Sequence, residues 1–277
     1  MHYIPPDSSY PTDEYKTKKL VLRKIPAGDY WIGDDITKDI VWSGRCAPNT
    51  RHSVHLPKNF YIAIFQTTNA QYKRIMNDSS KDDTIPKTDF SWNTIRGSAG
   101  SSATPTDSGS VLAQLNTKTK TMGFDLGAGF DLPTESMWEI AARAGVLTHF
   151  LWGDDPSGYK AYCWTNTEHP GSPVEVGQLK PNNWGLYDVN GNVWDVVRDT
   201  GNREVDLATI SEQVADATKP YSSGNASECT RRGGGSCQYN AIGALANNNN
   251  YMLATKESAV KNSNYSNNAS FRVAWFK

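Results

Sequence analysis

The stretch Leu132-Pro-Thr-Glu-Ser-Met-Trp-Glu-Ile-Ala-Ala-Arg143 decides how the rest of the chain is read. Thr134 stands where a helix cap belongs, with Pro133 just before it. Met137, Ile140, Ala141 and Ala144 recur at helical spacing and give one apolar face. Glu139 and Arg143 form a favourable i,i+4 pair, and Gly145 is suited to end the helix in the left-handed conformation. The pattern predicts a helix over 135–144. Its charged residues are placed to fix helix ends and neighbouring loops by charge-assisted hydrogen bonds.

On either side the chain reads as short strands and turns. Residues 20–25 and 30–32 flank the Pro26-Ala-Gly28 turn, and 54–56 and 60–65 form a second pair. Thr68, with Gln71 three residues on, is a capping box that opens another helix. Residues 77–109 are polar and rich in Ser, Thr, Asp and Gly, so they are expected to make a long surface excursion. A short helix is expected over 111–116. Strands are expected at 150–153, 184–187, 193–197 and 271–276, with a turn at Asn190-Gly191. Residues 1–19 read as an arm with little regular structure, and 20–277 as one domain.

Composition narrows the function classes. The chain has 277 residues, a net charge of −1, 38% hydrophobic and 21% charged residues. That balance leaves no electrostatic footprint for nucleic acid. No run of about 18 apolar residues is present to span a membrane. The start, with Pro5, Pro6 and Pro11, lacks the pattern of a secretory signal. Compartment is not legible, and a virion or cell surface suits the reading that follows. Cys46, Cys163, Cys229 and Cys237 are too few for a disulfide scaffold and read as mostly buried thiols.

Several blocks occur in a telling order. They are Phe65-Gln-Thr-Thr-Asn-Ala-Gln-Tyr72, the 132–143 block, Trp152-Gly153, Pro181-Asn-Asn-Trp-Gly-Leu-Tyr-Asp-Val-Asn-Gly-Asn-Val-Trp194, Arg232-Gly-Gly-Gly-Ser236 and Ser270-Phe-Arg-Val273. This series resembles the formylglycine-generating-enzyme (sulfatase-modifying factor) family over roughly residues 20–277. The resemblance implies an α+β, C-type-lectin-like fold with few short helices and strands and many loops. Trp138, Trp152, Trp184 and Trp194 are large anchors suited to such a core.

The enzymes of that family hold copper with a cysteine pair after the Gly-Gly-Ser block. Here Cys237 follows Ser236 directly, and no cysteine lies beyond it. Cys229 precedes the block. The matching pair is absent, so a non-enzyme is expected, with a copper oxidase on a rearranged Cys229/Cys237 site as the alternative. His52 and His55 are the only close histidines, and odd spacing on a strand puts them on opposite faces, which makes a poor metal site.

The segment between Arg232 and Phe271 carries the anomaly. Nine asparagines fall at 240, 247–250, 262, 264, 267 and 268. The resemblance to variable proteins of diversity-generating retroelements implies a rewritten region over about 233–270. It implies a ligand-binding face made of Cys237, Tyr239, Asn240, Ala241, Ile242, Gly243, Ala244, Asn247, Asn248, Asn249, Asn250 and Tyr251. Tyr239 and Tyr251 would anchor a partner and the asparagines would adapt their hydrogen bonds. Arg232, Phe271 and Arg272 would hold the platform still. The calcium-lectin tripeptides are missing, since Lys180-Pro-Asn182 and Trp92-Asn-Thr94 lack the required side chains. Asn192 is the candidate for a structural calcium near the Gly-Asn-Val-Trp block; no other cofactor is expected. The reading is a monomer that binds a protein or cell-surface ligand, with no nucleic-acid partner.

Overall fold

The computed structural model describes residues 13–33, 51–79, 81–98, 107–148, 150–164, 172–200, 216–220, 228–234, 257–261 and 269–276. In chain order the elements are α1 (Asp13–Thr17), β1 (Leu22–Ile25), β2 (Gly28–Ile32), β3 (His52–Leu56), β4 (Phe60–Ala63), α2 (Asn69–Met76), α3 (Trp92–Arg96) and α4 (Val111–Thr121). There follow β5 (Phe130–Asp131), α5 (Glu135–Arg143), a 3₁₀ turn (Pro156–Ala161), β6 (Trp194–Thr200), β7 (Glu228–Arg232), β8 (Glu257–Lys261), β9 (Ala269–Phe271) and β10 (Ala274–Phe276).

Three sheets carry the fold. One has the order β1-β4-β10-β5, a second is the β2-β3 pair, and the third runs β8-β7-β6-β9. Strand β4 is buried along its whole length, as a strand covered on both faces must be. Tyr61 on β4 stacks on Trp275 of β10 with ring centroids 4.7 Å apart. The expected last strand is two: β9 pairs in parallel with β6, and β10 pairs antiparallel with β4 and β5. The chain crosses from one sheet to the other at Arg272 and Val273.

The two capped helices form where the sequence places them. Thr68 accepts from the Gln71 N–H, and the Gln71 side chain returns to the Thr68 N–H. Thr134 accepts from the Met137 N–H. Every residue of α5 is buried, including Glu135, Glu139 and Arg143. A helix sunk this far has to satisfy its charges inside the protein.

Several expectations are corrected. Residues 77–109 are not all surface, because α3 buries Trp92, Ile95 and Arg96, capped by Ser91. Helix α4 runs on to Thr121, past the expected 116. The last residues of the arm form α1, docked through the Thr68 hydroxyl to the Lys16 carbonyl at 2.6 Å. The left-handed helix end falls on Ala144, ahead of Gly145. Residues 150–153 make only one bridge, and 184–187 make no strand. There the Asn182 side chain organises the loop, accepting from the Trp184 and Leu186 N–H groups and donating to the Ala141 and Ala142 carbonyls. Of the four expected tryptophan anchors, Trp138 and Trp194 are buried, while Trp152 and Trp184 are half-buried.

Candidate functional site

The expected variable face, residues 237, 239–244 and 247–251, lies outside the described residues, and so do Asn262, Asn264, Asn267 and Asn268. Its roots are described. Strand β7 ends at Arg232, β8 begins at Glu257, and the two are register partners. The segment between them thus leaves and rejoins one sheet at adjacent points of a paired ladder.

The departure point is locked by charge. Arg232 is fully buried. It pairs with Glu135 through Nη1 and donates from Nη2 to Glu139 Oε2 at 2.8 Å. Its guanidinium lies over the Trp138 ring, 5.2 Å from the centroid. Glu139 Oε1 accepts from Arg143 Nε at 2.8 Å and from the Gly33 N–H at 2.7 Å. Arg143 then donates to the Gly33 carbonyl at 2.6 Å. Burial by itself would raise the Glu139 carboxyl. Arg143, Arg232 and the hydrogen bonds outweigh it and hold the group at about 2.

Gly233 continues the lock in the backbone. Its φ is +93°, and a Cβ there would sit 2.5 Å from the Val189 carbonyl oxygen and 3.2 Å from the Trp138 ring. Only glycine fits. The Gly233 carbonyl accepts from the Gly191 N–H at 3.0 Å. Gly191 in turn packs so closely on Trp164 that a Cβ would meet its carbonyl at 2.5 Å. Through Gly191, Gly233 is thus joined to Trp164 beside the Arg232 lock.

Arg272 makes the second node. It is buried, donates from Nε to Asp195 Oδ2 at 2.7 Å, and reaches the carbonyls of Ile64, Tyr187 and Asp188. Asp195 Oδ2 also accepts from Trp138 Nε1 at 2.9 Å. Trp138 thereby links both arginines. Phe271 is buried and meets Phe90 edge-on at 5.4 Å. Asp188, at φ +51°, accepts the Gly177 N–H at 2.6 Å. Burial pushes its carboxyl up to about 6, against the opposing pull of that hydrogen bond and of Arg272.

Sequence reasoning chose Arg232, Phe271 and Arg272 as the platform but missed Asp195 and Gly33. The signal for Asp195 was an acid directly after the apolar Val193-Trp194, where a solvated charge is out of place. Gly33 gave no signal, because it acts through its backbone.

The remaining described candidates lie away from these two nodes or on their margin. Asn192 uses its amide as a bracket, with Oδ1 accepting from the Val174 N–H at 3.0 Å and Nδ2 donating to the Val174 carbonyl at 3.1 Å. Among the described residues no group of three or more His, Cys, Asp or Glu side chains is placed to hold a metal. Strand β3 turns His52 inward and His55 outward. Cys229 is buried in an apolar cluster with Trp194, Val196 and Phe271. A soft metal needs two convergent thiolates. Cys229 lies in apolar packing, and Cys237, the other half of the rearranged alternative, lies outside the described residues.

Short strands in three sheets, short capped helices and long connections held by buried ion pairs define a C-type-lectin-like scaffold of the α+β class. Residues 9–277 match the sulfatase-modifying factor enzyme 1-like domain, and the chain belongs to that family. The formylglycine-generating enzyme of Streptomyces coelicolor is 39% identical over 80 residues, covering 24% of this chain and 26% of that protein. The mouse inactive Cα-formylglycine-generating enzyme 2 is 38% identical over 77 residues, covering 24% and 25%. The aligned stretch thus spans only about a quarter of the curated relatives. Treponema denticola variable protein 1 shares the fold, with a TM-score of 0.68, 17% identity, and coverage of 93% of this chain and 95% of that one. Among the described residues, no helix is long and apolar enough to cross a membrane.

Proposed function

We propose that the chain is a non-enzymatic ligand-binding protein, a variable protein of a diversity-generating retroelement. It presents a replaceable surface over residues 237–251 on an unyielding scaffold. The observation that carries this reading is the fully buried Arg232, held by Glu135 and Glu139 five residues before the first replaceable position and paired in register with Glu257. Side chains beyond such a lock can be exchanged without touching the interactions that fold the protein, and a pre-ordered base lowers the entropy lost on binding. The full-length fold shared with Treponema denticola variable protein 1 supports the reading.

Recognition then rests on Tyr239 and Tyr251 as rigid aromatic anchors. Asn240 and Asn247 to Asn250 supply adaptable donors and acceptors, and Ala241, Gly243 and Ala244 leave room for partner side chains. Sequencing the locus in related isolates is the test. Substitutions are expected to concentrate within about 237–268, beside a near-identical template repeat and a reverse-transcriptase gene. An even spread over the gene would overturn the reading. A partner pull-down should also lose its signal when Tyr239 and Asn247 to Asn250 become alanine.

One observation favours a second reading, a copper oxidase: the aligned relatives include formylglycine-generating enzymes. Stoichiometric Cu(I) binding that disappears in Cys237→Ser would support it over the first.

A further inference from the structure

The β2-β3 pair turns one face to the core and the other to water. Residues alternate along both strands: Tyr30, Ile32, Val54 and Leu56 point inward, and Asp29, Trp31 and His55 outward. Register sets Asp29 opposite His55 and Trp31 opposite Ser53. Asp29 Oδ1 lies 2.7 Å from His55 Nδ1, with both side chains at least half exposed. Trp31, one step along the same face, keeps 55% of its surface open, whereas Trp92, Trp138, Trp194 and Trp275 are buried.

The face is built and stiff. Tyr30 beneath it donates to the Pro26 carbonyl at 2.8 Å and meets Trp184 edge-on at 6.0 Å. The His55 carbonyl accepts from the Ala217 N–H at 2.7 Å, which fixes the outer edge of β3. Trp31 thus presents a large apolar ring at the surface on ordered backbone, beside a polar pair.

We propose that this face is a saccharide-binding site, in which a pyranose ring lies on the Trp31 indole and its hydroxyls bond the Asp29–His55 pair. A pyranose offers a flat C–H surface edged with hydroxyls. The indole matches the first, and an acceptor carboxylate beside an imidazole matches the second. Convergent polar groups at the rim of an aromatic floor are what orient a small polar ligand. A purely apolar partner would strand the hydrogen-bonded Asp29–His55 pair, so the polar rim argues against one. The site is separate from residues 237–251 and stands whether or not those residues vary.

The test is saturation-transfer NMR on the full chain with maltotriose, cellotriose and triacetylchitotriose. Transfer to ring C–H protons of at least one of them is expected. Trp31→Ala should weaken that binding about tenfold or more, and Asp29→Asn several-fold, with thermal melting unchanged because both side chains are exposed. Trp31→Phe should keep part of the affinity. Alanine at Asn247 to Asn250 should leave it intact, which separates this site from the variable face. Silence with all three sugars, or equal affinity in Trp31→Ala, overturns the proposal. So does a response to a lysine-rich peptide in place of sugar.

Discussion

Arg232 reaches Glu139 at 2.8 Å across 93 residues of sequence, and neither side chain touches water. The pair ties β7 to α5, and through the Gly33 backbone it also ties in the end of β2. An ion pair this deep adds little net stability when complete but is severe when halved.

Arg232→Met is therefore expected to destabilise the protein by about 3–5 kcal/mol, since it leaves Glu135 and Glu139 buried without their cation. Calorimetric unfolding reads this. The damage should be relieved in part at low pH, where the orphaned carboxylates protonate. In the native protein Glu139 sits at about 2, below its ordinary 4.5. Its contribution is fully present above 4.5 and fades as pH falls towards 2.

Asp188 carries the opposite sign. Its folded carboxyl is raised from 3.8 to about 6. A raised acid favours the fold below 3.8 and loses that favour as pH climbs through 6. Asp188→Asn should consequently raise Tm at pH 8 and leave it nearly unchanged at pH 4, with an upper limit of about 3 kcal/mol. Melting curves of both proteins across this range check it; a variant less stable at pH 8 would contradict it.

Thr68→Ala should cost more than a cap alone. The hydroxyl accepts from Gln71 and also donates to the Lys16 carbonyl, holding α1. A cap is worth about 1 kcal/mol, and the variant should in addition expose residues 13–19 to limited proteolysis. Cleavage no faster than wild type would contradict the docking role.

Gly233→Ala meets a carbonyl at 2.5 Å with a left-handed backbone. The expected result is a loss of several kcal/mol or failure to fold. The neighbouring Gly234 has φ +74°, so Gly234→Ala tests how much of the loss is backbone strain alone.

What could be read from the chain was what depends on neighbours in sequence. The Thr68/Gln71 box, the Thr134 cap and the apolar face of α5 are all settled within one or two turns of helix. What escaped was decided at a distance. Trp92 and Arg96 sit in a polar stretch, yet Asp131 offers Arg96 a bidentate partner at 2.6 and 2.8 Å, and the helix sinks. The strand pattern at 184–187 lost to Asn182, whose amide supplies the bonds a neighbouring strand would have given. At the candidate site the two arginines stood out by motif. Their acids, Glu139 and Asp195, became partners only once α5 and β6 were brought side by side.

The crossing at Arg272 and Val273 has a bearing on biogenesis. Residues 269–271 complete one sheet and 274–276 fill the gap between β4 and β5 in another. A nascent chain still missing this short stretch has two open ladders and an Asp195 without its Arg272 cation. It cannot commit to its native topology until residues 269–276 are present, so folding should be a concerted event, and cutting the chain just before residue 269 should abolish it.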